Sequence, residues 1–199
     1  MSHHIYHTQA IVISSRNYGE ANKILTLYTR ELGLIRAVAQ GIRLSKSKLR
    51  FALADYSLAR VDLVKGREVW RVTSATYVKS FGSLTQTIPG VSILSHTVKL
   101  LERLLPGEDP HENIFDDVVT AYEYLTSKID SPPAGGEFFE VTELCLVLRI
   151  LKSLGYISTK EEYKTHVEGV FDPSMIAFDT LPKKTIIFEI NRALRESQL

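Results

Sequence analysis

Gly33-Leu34-Ile35-Arg36-Ala37-Val38-Ala39-Gln40-Gly41-Ile42-Arg43-Leu44-Ser45-Lys46-Ser47-Lys48-Leu49-Arg50-Phe51 runs from a turn glycine through a β-type apolar stretch to a second glycine, then into a segment with four cations and no acid. The apolar half is the kind of sequence a sheet buries, and the basic half is the kind a surface displays. If the chain stays extended, successive side chains alternate faces, so Lys46, Lys48 and Arg50 project together while Ser47 and Leu49 point away. If it turns helical, Arg43, Lys46 and Arg50 fall on one side at i, i+3 and i+7. Either geometry gathers about three positive charges within ~10 Å, which is unfavourable unless an anion sits among them. The competing reading is a solvated loop whose cations merely repel.

Working outward, residues 6 to 15 alternate loosely around Ala10-Ile11-Val12-Ile13 and predict a first strand; Arg16-Asn17-Tyr18-Gly19-Glu20 is a polar turn. Lys23 to Thr29 predicts a second strand, and Arg30-Glu31-Leu32-Gly33 turns it into a third, Leu34 to Gln40. Connections this short make an antiparallel meander. Beyond the basic segment, Ser57 to Val64 and Val69 to Lys79 predict a hairpin around Lys65-Gly66-Arg67, with Val61 and Leu63 on one face and Arg60 and Asp62 on the other. Five short strands with an excess of positive charge fit a small five-stranded barrel of the OB type. Such barrels hold single strands with cations on the phosphates and aromatic rings under the bases. Tyr18, Phe51, Tyr56 and Trp70 are the aromatic candidates, each with barrel core as its alternative.

Charge divides the chain of 199 residues. Residues 1 to 80 hold thirteen Lys and Arg against five Asp and Glu, a net of +8, and the remainder hold eleven against eighteen, a net of −7. The division favours two domains, a nucleic-acid-binding barrel over 1–80 and a helical domain over 81–199, with an anionic partner for the first. Val91 to Leu105 has helical spacing and ends at Pro106-Gly107; Asp109-Pro110-His111-Glu112 predicts a capped start for a helix that buries Phe115, Val118, Tyr122 and Leu125. After a linker, Asp130 to Gly136, comes a central helix from Glu137 to Leu154 burying Phe138, Val141, Leu144, Cys145, Leu148 and Leu151, closed by Gly155. Residues 158 to 182 are broken by Gly169, Pro173 and Pro182, and Lys183 to Leu199 predicts a last helix with Ile186, Ile187, Ile190 and Leu194 inward. The expected class is therefore α+β, a barrel followed by an all-helical domain.

The motifs of common enzyme classes are missing. There is no glycine-rich phosphate loop, no Gly-x-Ser-x-Gly elbow and no His-Glu-x-x-His. Cys145 is the only cysteine, which excludes an intrachain disulfide and a cysteine-based zinc site and fits a reducing, cytoplasmic setting. Glu137, Glu140 and Glu143 share a helix face and read as a solvated stripe at a helix N-terminus, not as metal ligands. His3, His4 and His7 lie at a terminus that frays. No apolar run nears the ~20 residues of a membrane span, and no signal-peptide pattern is present. Neither catalytic residues, metal nor cofactor are expected.

Ala10-Ile11-Val12-Ile13, the run from Tyr18-Gly19-Glu20-Ala21-Asn22-Lys23 to Leu34-Ile35-Arg36, Ala39-Gln40-Gly41 with its Lys/Arg loop, and Tyr56 to Val64 together resemble the RecO family of bacterial recombination mediators. The helical half resembles it only in layout. The resemblance implies an OB domain followed by helices, binding to single- and double-stranded DNA, strand annealing, and partnership with RecR and with the acidic C-terminal tail of single-strand-binding protein so that RecA is loaded. It implies a cytoplasmic, nucleoid-associated protein without catalysis or membrane contact. Many RecO-like proteins carry a four-cysteine zinc module late in the helical domain; this chain has none. Phe171-Asp172-Pro173 and Met175-Ile176-Ala177-Phe178 are expected to replace it by apolar packing. The expected DNA contacts are Arg36, Arg43, Lys46, Lys48, Arg50 and Tyr18. An adaptor whose basic barrel binds an acidic protein surface is the alternative, and a nuclease is disfavoured because the basic half has no cluster of acids.

Overall fold

The structure is a computed structural model, describing residues 4–105, 107–129, 137–176 and 181–196. His3, Pro106, the linker 130–136, Ala177 and Phe178 lie outside the described residues. Close contacts divide the chain into two compact units, residues 1–82 with 100–112, and residues 83–99 with 113–199.

The first unit is a closed barrel with strand order β1-β2-β3-β5-β4. Its strands are β1 (Ile5–Tyr18), β2 (Asn22–Thr29), β3 (Gly33–Ala39), β4 (Ser57–Lys65) and β5 (Trp70–Ser80). The long β1 serves two neighbours. Ile5 to Ile11 pair with β4, and Ala10 to Tyr18 pair with β2 across a bulge between Val12 and Ser14. A bulge of this kind increases local twist and lets one strand turn a barrel corner. The barrel closes where Ala37 to Ala39 run parallel to Trp70 to Val72. The interior mixes small and large side chains, with Ala10, Ala37, Ala39 and Ala59 beside Val12, Leu25, Leu27, Ile35, Leu63 and Trp70. The alternation on β4 holds, with Val61 and Leu63 buried and Arg60 exposed.

Gly33 shows why this turn carries a glycine. Its φ is +71°, and a Cβ there would lie 2.5 Å from the carbonyl oxygen of Asp109. Segment 107–109 is laid against the barrel at this point, with Leu34 N–H donating to the Gly107 carbonyl at 3.0 Å. Lys65 and the Trp70 indole N–H both donate to Glu108, at 2.7 and 2.9 Å. The predicted cap at Asp109 is therefore displaced: the helix begins at Glu112, and Asp109 instead accepts from His111 Nε2 at 3.2 Å. Packing on the barrel has overridden the local capping signal.

Between β3 and β4 lies α1 (Leu49–Ala52); the later helices are α2 (Ile88–Leu104), α3 (Glu112–Lys128), α4 (Glu137–Ser153), α5 (Lys164–Val167) and α6 (Lys183–Glu196), of which the second unit takes α2 as far as Lys99, α3 from Asn113, and α4 to α6. α3 buries Phe115, Val118, Tyr122 and Leu125 as its spacing predicts. On α4 the buried phenylalanine is Phe139 rather than Phe138, with Val141, Cys145, Leu148 and Leu151 inward. Burial pushes the Cys145 thiol up to about 12, so it stays protonated and inert. On α6, Ile186, Glu189 and Ile190 face inward, while Ile187 is exposed, correcting its predicted place. Glu189 takes an inward position because Lys160 and Arg192 both donate to it at 2.6 Å. In the segment from 158 to 182, Phe171, Pro173 and Ile176 are buried as expected, but Met175 is exposed.

Candidate functional site

The basic segment is neither extended nor a continuous helix. Backbone bonds from Leu44 to Gly41, Ser47 to Leu44 and Arg50 to Ser47 fold residues 41–50 into successive tight turns leading into α1. Glycine at the start and serines within are the residue types that such turns accommodate. Ile42, Leu53 and, in part, Leu49 face the barrel core. That anchorage leaves Leu44, Lys46, Lys48, Arg50 and Phe51 pointing to solvent.

The six expected contact residues fall in separate places. Lys46, Lys48 and Arg50 are exposed on the turns and α1. Arg43 has a bracing role: its backbone N–H donates to Ala21 O at 2.9 Å and its guanidinium donates to Gly19 O at 3.1 Å, tying the basic segment to the β1–β2 turn. Tyr18, just before that turn, is 53% exposed. Arg36 stands on the outer face of β3 opposite Thr26 of β2. Among the described residues, Arg36, Lys46, Lys48 and Arg50 have no carboxylate within ion-pairing distance.

Of the other aromatic candidates, Trp70 is core, 4% exposed, with Lys65 Nζ 5.4 Å from its ring and Tyr6 edge-on to it. Tyr56 is half-buried, with a positive φ of 60° and its backbone locked by bonds to Val12 and from Phe81. Phe51 is the one left open, at 70% exposure, and it meets Tyr77, a residue that sequence reading missed. The reason is a bulge. Trp70 and Val72 point inward, so simple alternation sends Tyr77 outward; the register shift between Asp62 and Leu63 resets β5 so that Ala75 packs on the core and Tyr77 follows on the same side. Together Ser47, Arg50, Phe51, Ser57, Tyr77 and Ser80 line a cleft of about 400 Å³. The Ser57 hydroxyl, donating to Ala52 O and Ala54 O, fixes α1 beneath it. Chemically, this end of the barrel offers cations without carboxylate partners and an open aromatic surface, which suits phosphate and flat rings.

The histidine and glutamate candidates among the described residues are engaged in local contacts. His7 Nδ1 lies 2.6 Å from Asp62, and the His4 ring is edge-on to Tyr6. Lys183 bridges Glu137 and Glu140, and His96 contacts Glu143 at 2.6 Å. The helical unit has its own cleft of about 620 Å³, lined by Asp117, Arg149, Lys152, Glu168, Val170 and Phe171 among others. Arg149 grips Asp117 through two nitrogens, at 2.8 and 3.1 Å, and its guanidinium carbon sits 5.0 Å from the centre of the Phe171 ring. Lys152 lies 3.6 Å from Glu168, and Val170 is almost fully exposed. Among the described residues no helix is long and apolar enough to cross a membrane.

Residues 1–81 match the family model described as Recombination protein O N terminal. Curated relatives extend the likeness past that boundary. The chain is 32% identical over 165 residues, 83% of its length and 60% of the relative's, to the DNA repair protein RecO of Pelotomaculum thermopropionicum. It is 34% identical over 122 residues, 61% of its length and 44% of the relative's, to that of Heliobacterium modesticaldum. With that of Desulfitobacterium hafniense it is 32% identical over 153 residues, 76% of its length and 52% of the relative's. The chain thus spans roughly half the length of these relatives. The barrel thus matches the N-terminal domain of the RecO family, and the likeness to DNA repair proteins RecO runs on into the helices.

Proposed function

We propose that this chain is a DNA-binding recombination mediator in DNA repair, with the barrel of residues 1–80 as its nucleic-acid domain and residues 81–199 as a helical protein-binding domain. It captures single- and double-stranded DNA through Lys46, Lys48, Arg50 and Arg36, with Arg43 holding the loop in place and Tyr18 beside it, and brings strands together to anneal. It carries out no catalysis. With RecR it helps load RecA onto DNA coated by single-strand-binding protein, whose acidic tail the helical domain takes up. The observation that carries this reading is the cluster of cations without carboxylate partners on residues 46–50, next to open aromatic rings. Unpaired charge of this kind raises the local potential and releases counterions when phosphates bind. For the tail, the cleft at Val170 offers apolar surface, and an acidic peptide there would compete with Glu168 for Lys152.

Gel mobility of labelled single-stranded and duplex oligonucleotides, with and without Mg²⁺, tests the reading. Retarded, intact DNA is the expected result. Cleavage indicates an enzyme, and unretarded DNA at low salt indicates an adaptor for acidic proteins; either overturns the proposal.

A further inference from the structure

We propose that Phe51 and Tyr77, together with Arg50, form a clip for one unpaired nucleotide, its base on the rings and its phosphate on the guanidinium, so that this end of the barrel tells single-stranded DNA from duplex. The inference rests on the DNA-binding reading above and goes beyond it, because OB-type barrels ordinarily bind through the face of strands 2 and 3 and the loops between strands 1–2 and 4–5. The clip lies elsewhere, between α1 and the far end of β5.

Four observations converge on it. The two ring centroids are 4.6 Å apart and the planes are inclined by 48°, a tilted contact pair that leaves outer ring faces rather than a slot between the rings. Phe51 is 70% and Tyr77 39% exposed, so a flat face remains available at a cost in solvation that a stacked base would remove. The pair lines the cleft of about 400 Å³, within the range of about 300–1,000 Å³ usual for small-molecule sites. The platform is also rigid, since Leu53 at 1% exposure anchors the end of α1 and Ser57 holds the Ala52 and Ala54 carbonyls. Rigidity lowers the ordering cost of binding.

Charge selects the occupant. An apolar side chain from a protein, or a second copy of this chain, has no need of Arg50 in the wall and Lys46 and Lys48 on the approach. A base tethered to phosphates uses both, its ring on Phe51 and its phosphate on Arg50, whose fork of donors matches phosphate oxygens. A base inside a duplex is stacked on both faces and cannot enter without leaving the helix.

The test uses the full chain and three fluorescent probes: a short oligothymidylate, an abasic phosphodiester of the same length, and a duplex. The wild type is expected to prefer oligothymidylate to the abasic strand by at least about fivefold, the lower end of what stacking one base contributes. Phe51→Ala with Tyr77→Ala is expected to bring that ratio close to one while duplex affinity and salt dependence stay unchanged. If the double variant melts early, Phe51→Leu, which keeps apolar bulk without a flat face, carries the same expectation. A wild type that binds both strands equally, or a variant that keeps the preference or loses duplex binding in parallel, overturns the clip and leaves DNA binding standing. Failure of the wild type to bind any of the three probes at low salt overturns the DNA reading and the clip with it.

Discussion

Cations are used in opposite ways in the two units. In the helical unit most are consumed: Arg149 is held by Asp117, Lys160 and Arg192 by Glu189, Lys164 by Glu161, and Lys183 by Glu137 and Glu140. On the barrel, Arg36, Lys46, Lys48 and Arg50 face solvent with no such partner among the described residues. A sequence count sees only that one half is positive and the other negative. The structure adds that most cations of the acidic half already hold a carboxylate, so an acidic peptide there has to displace one, as it would Glu168 from Lys152. Lys65 and Arg30 are exceptions on the barrel: Lys65 is engaged by Glu108 and holds segment 107–109, and Arg30 pairs with Glu31 and Glu112.

The comparison breaks most sharply where a consumed cation is removed. Arg149 is 10% exposed and Asp117 13%, and Arg149 also donates to Gly169 O at 2.9 Å. Replacing Arg149 with Met leaves a carboxylate in a low-dielectric site and is expected to destabilise the chain by about 3–5 kcal/mol, measured by chemical denaturation followed through the helical signal. Burial, outweighing the guanidinium beside it, already holds the Asp117 carboxyl above the usual carboxylate range. Without Arg149 it rises further. A carboxyl whose folded pKa exceeds its unfolded one binds more protons when folded, so stability increases as pH falls through that window. The deficit of Arg149→Met should therefore be greatest near neutrality and shrink in acid. A deficit independent of pH would mean that packing on Phe171, not charge, is what Arg149 supplies.

On the barrel side, the vulnerable point is backbone. Gly33→Ala combines a left-handed φ with a clash against Asp109 and should cost on the order of 2–3 kcal/mol, whereas Gly19→Ala, also at positive φ (+62°) but with nothing within 4 Å of its Cβ, should cost about 1 kcal/mol. Thermal unfolding of the two variants side by side measures the difference. Equal losses would show that segment 107–109 yields without cost.

These two glycines also mark what the sequence made legible. Strand number and most strand ends followed from alternation and from glycine turns, because a barrel interior imposes period two on every strand, although β1 runs on to Tyr18 through what reads as a turn. α3 and α4 followed from apolar periodicity. What escaped was set by contacts distant in sequence. Asp109 looks like a helix cap, yet the Gly33 backbone and the bonds at Gly107 and Glu108 fix its segment as part of the barrel. Ile187 fits the inward stripe of α6, but Glu189 occupies the inner side because two cations from separate places meet it. At the candidate site, the cations were evident as a run, while Tyr77 was hidden by a bulge and Arg43 gave no sign of bracing the β1–β2 turn.

A smaller effect sharpens the contrast at Lys65. Its hydrogen bond to Glu108 is the main reason that carboxyl lies below its ordinary value, with the Trp70 indole N–H adding to it. A depressed folded pKa stabilises above the unfolded pKa and is lost as pH falls through the folded one. Trp70 is the only tryptophan, so its fluorescence should report a transition below the ordinary glutamate range of about 4.3. Glu108→Gln should abolish that transition with little change in unfolding temperature. A transition that persists in Glu108→Gln would assign the signal to another group.

The most direct test of displayed against consumed charge is the salt dependence of single-strand binding. Each phosphate neutralised contributes about −0.7 to the slope of log affinity against log salt, so replacing Lys46, Lys48 and Arg50 together with alanine should make the slope shallower by roughly 2. Affinity should fall alike for every sequence, because phosphate contacts carry no base information. The paired control, Lys160, Lys164 and Lys183 replaced together, should leave the slope unchanged. A barrel variant with the wild-type slope, or a helical variant that loses it, would contradict the assignment of the DNA surface to residues 46–50.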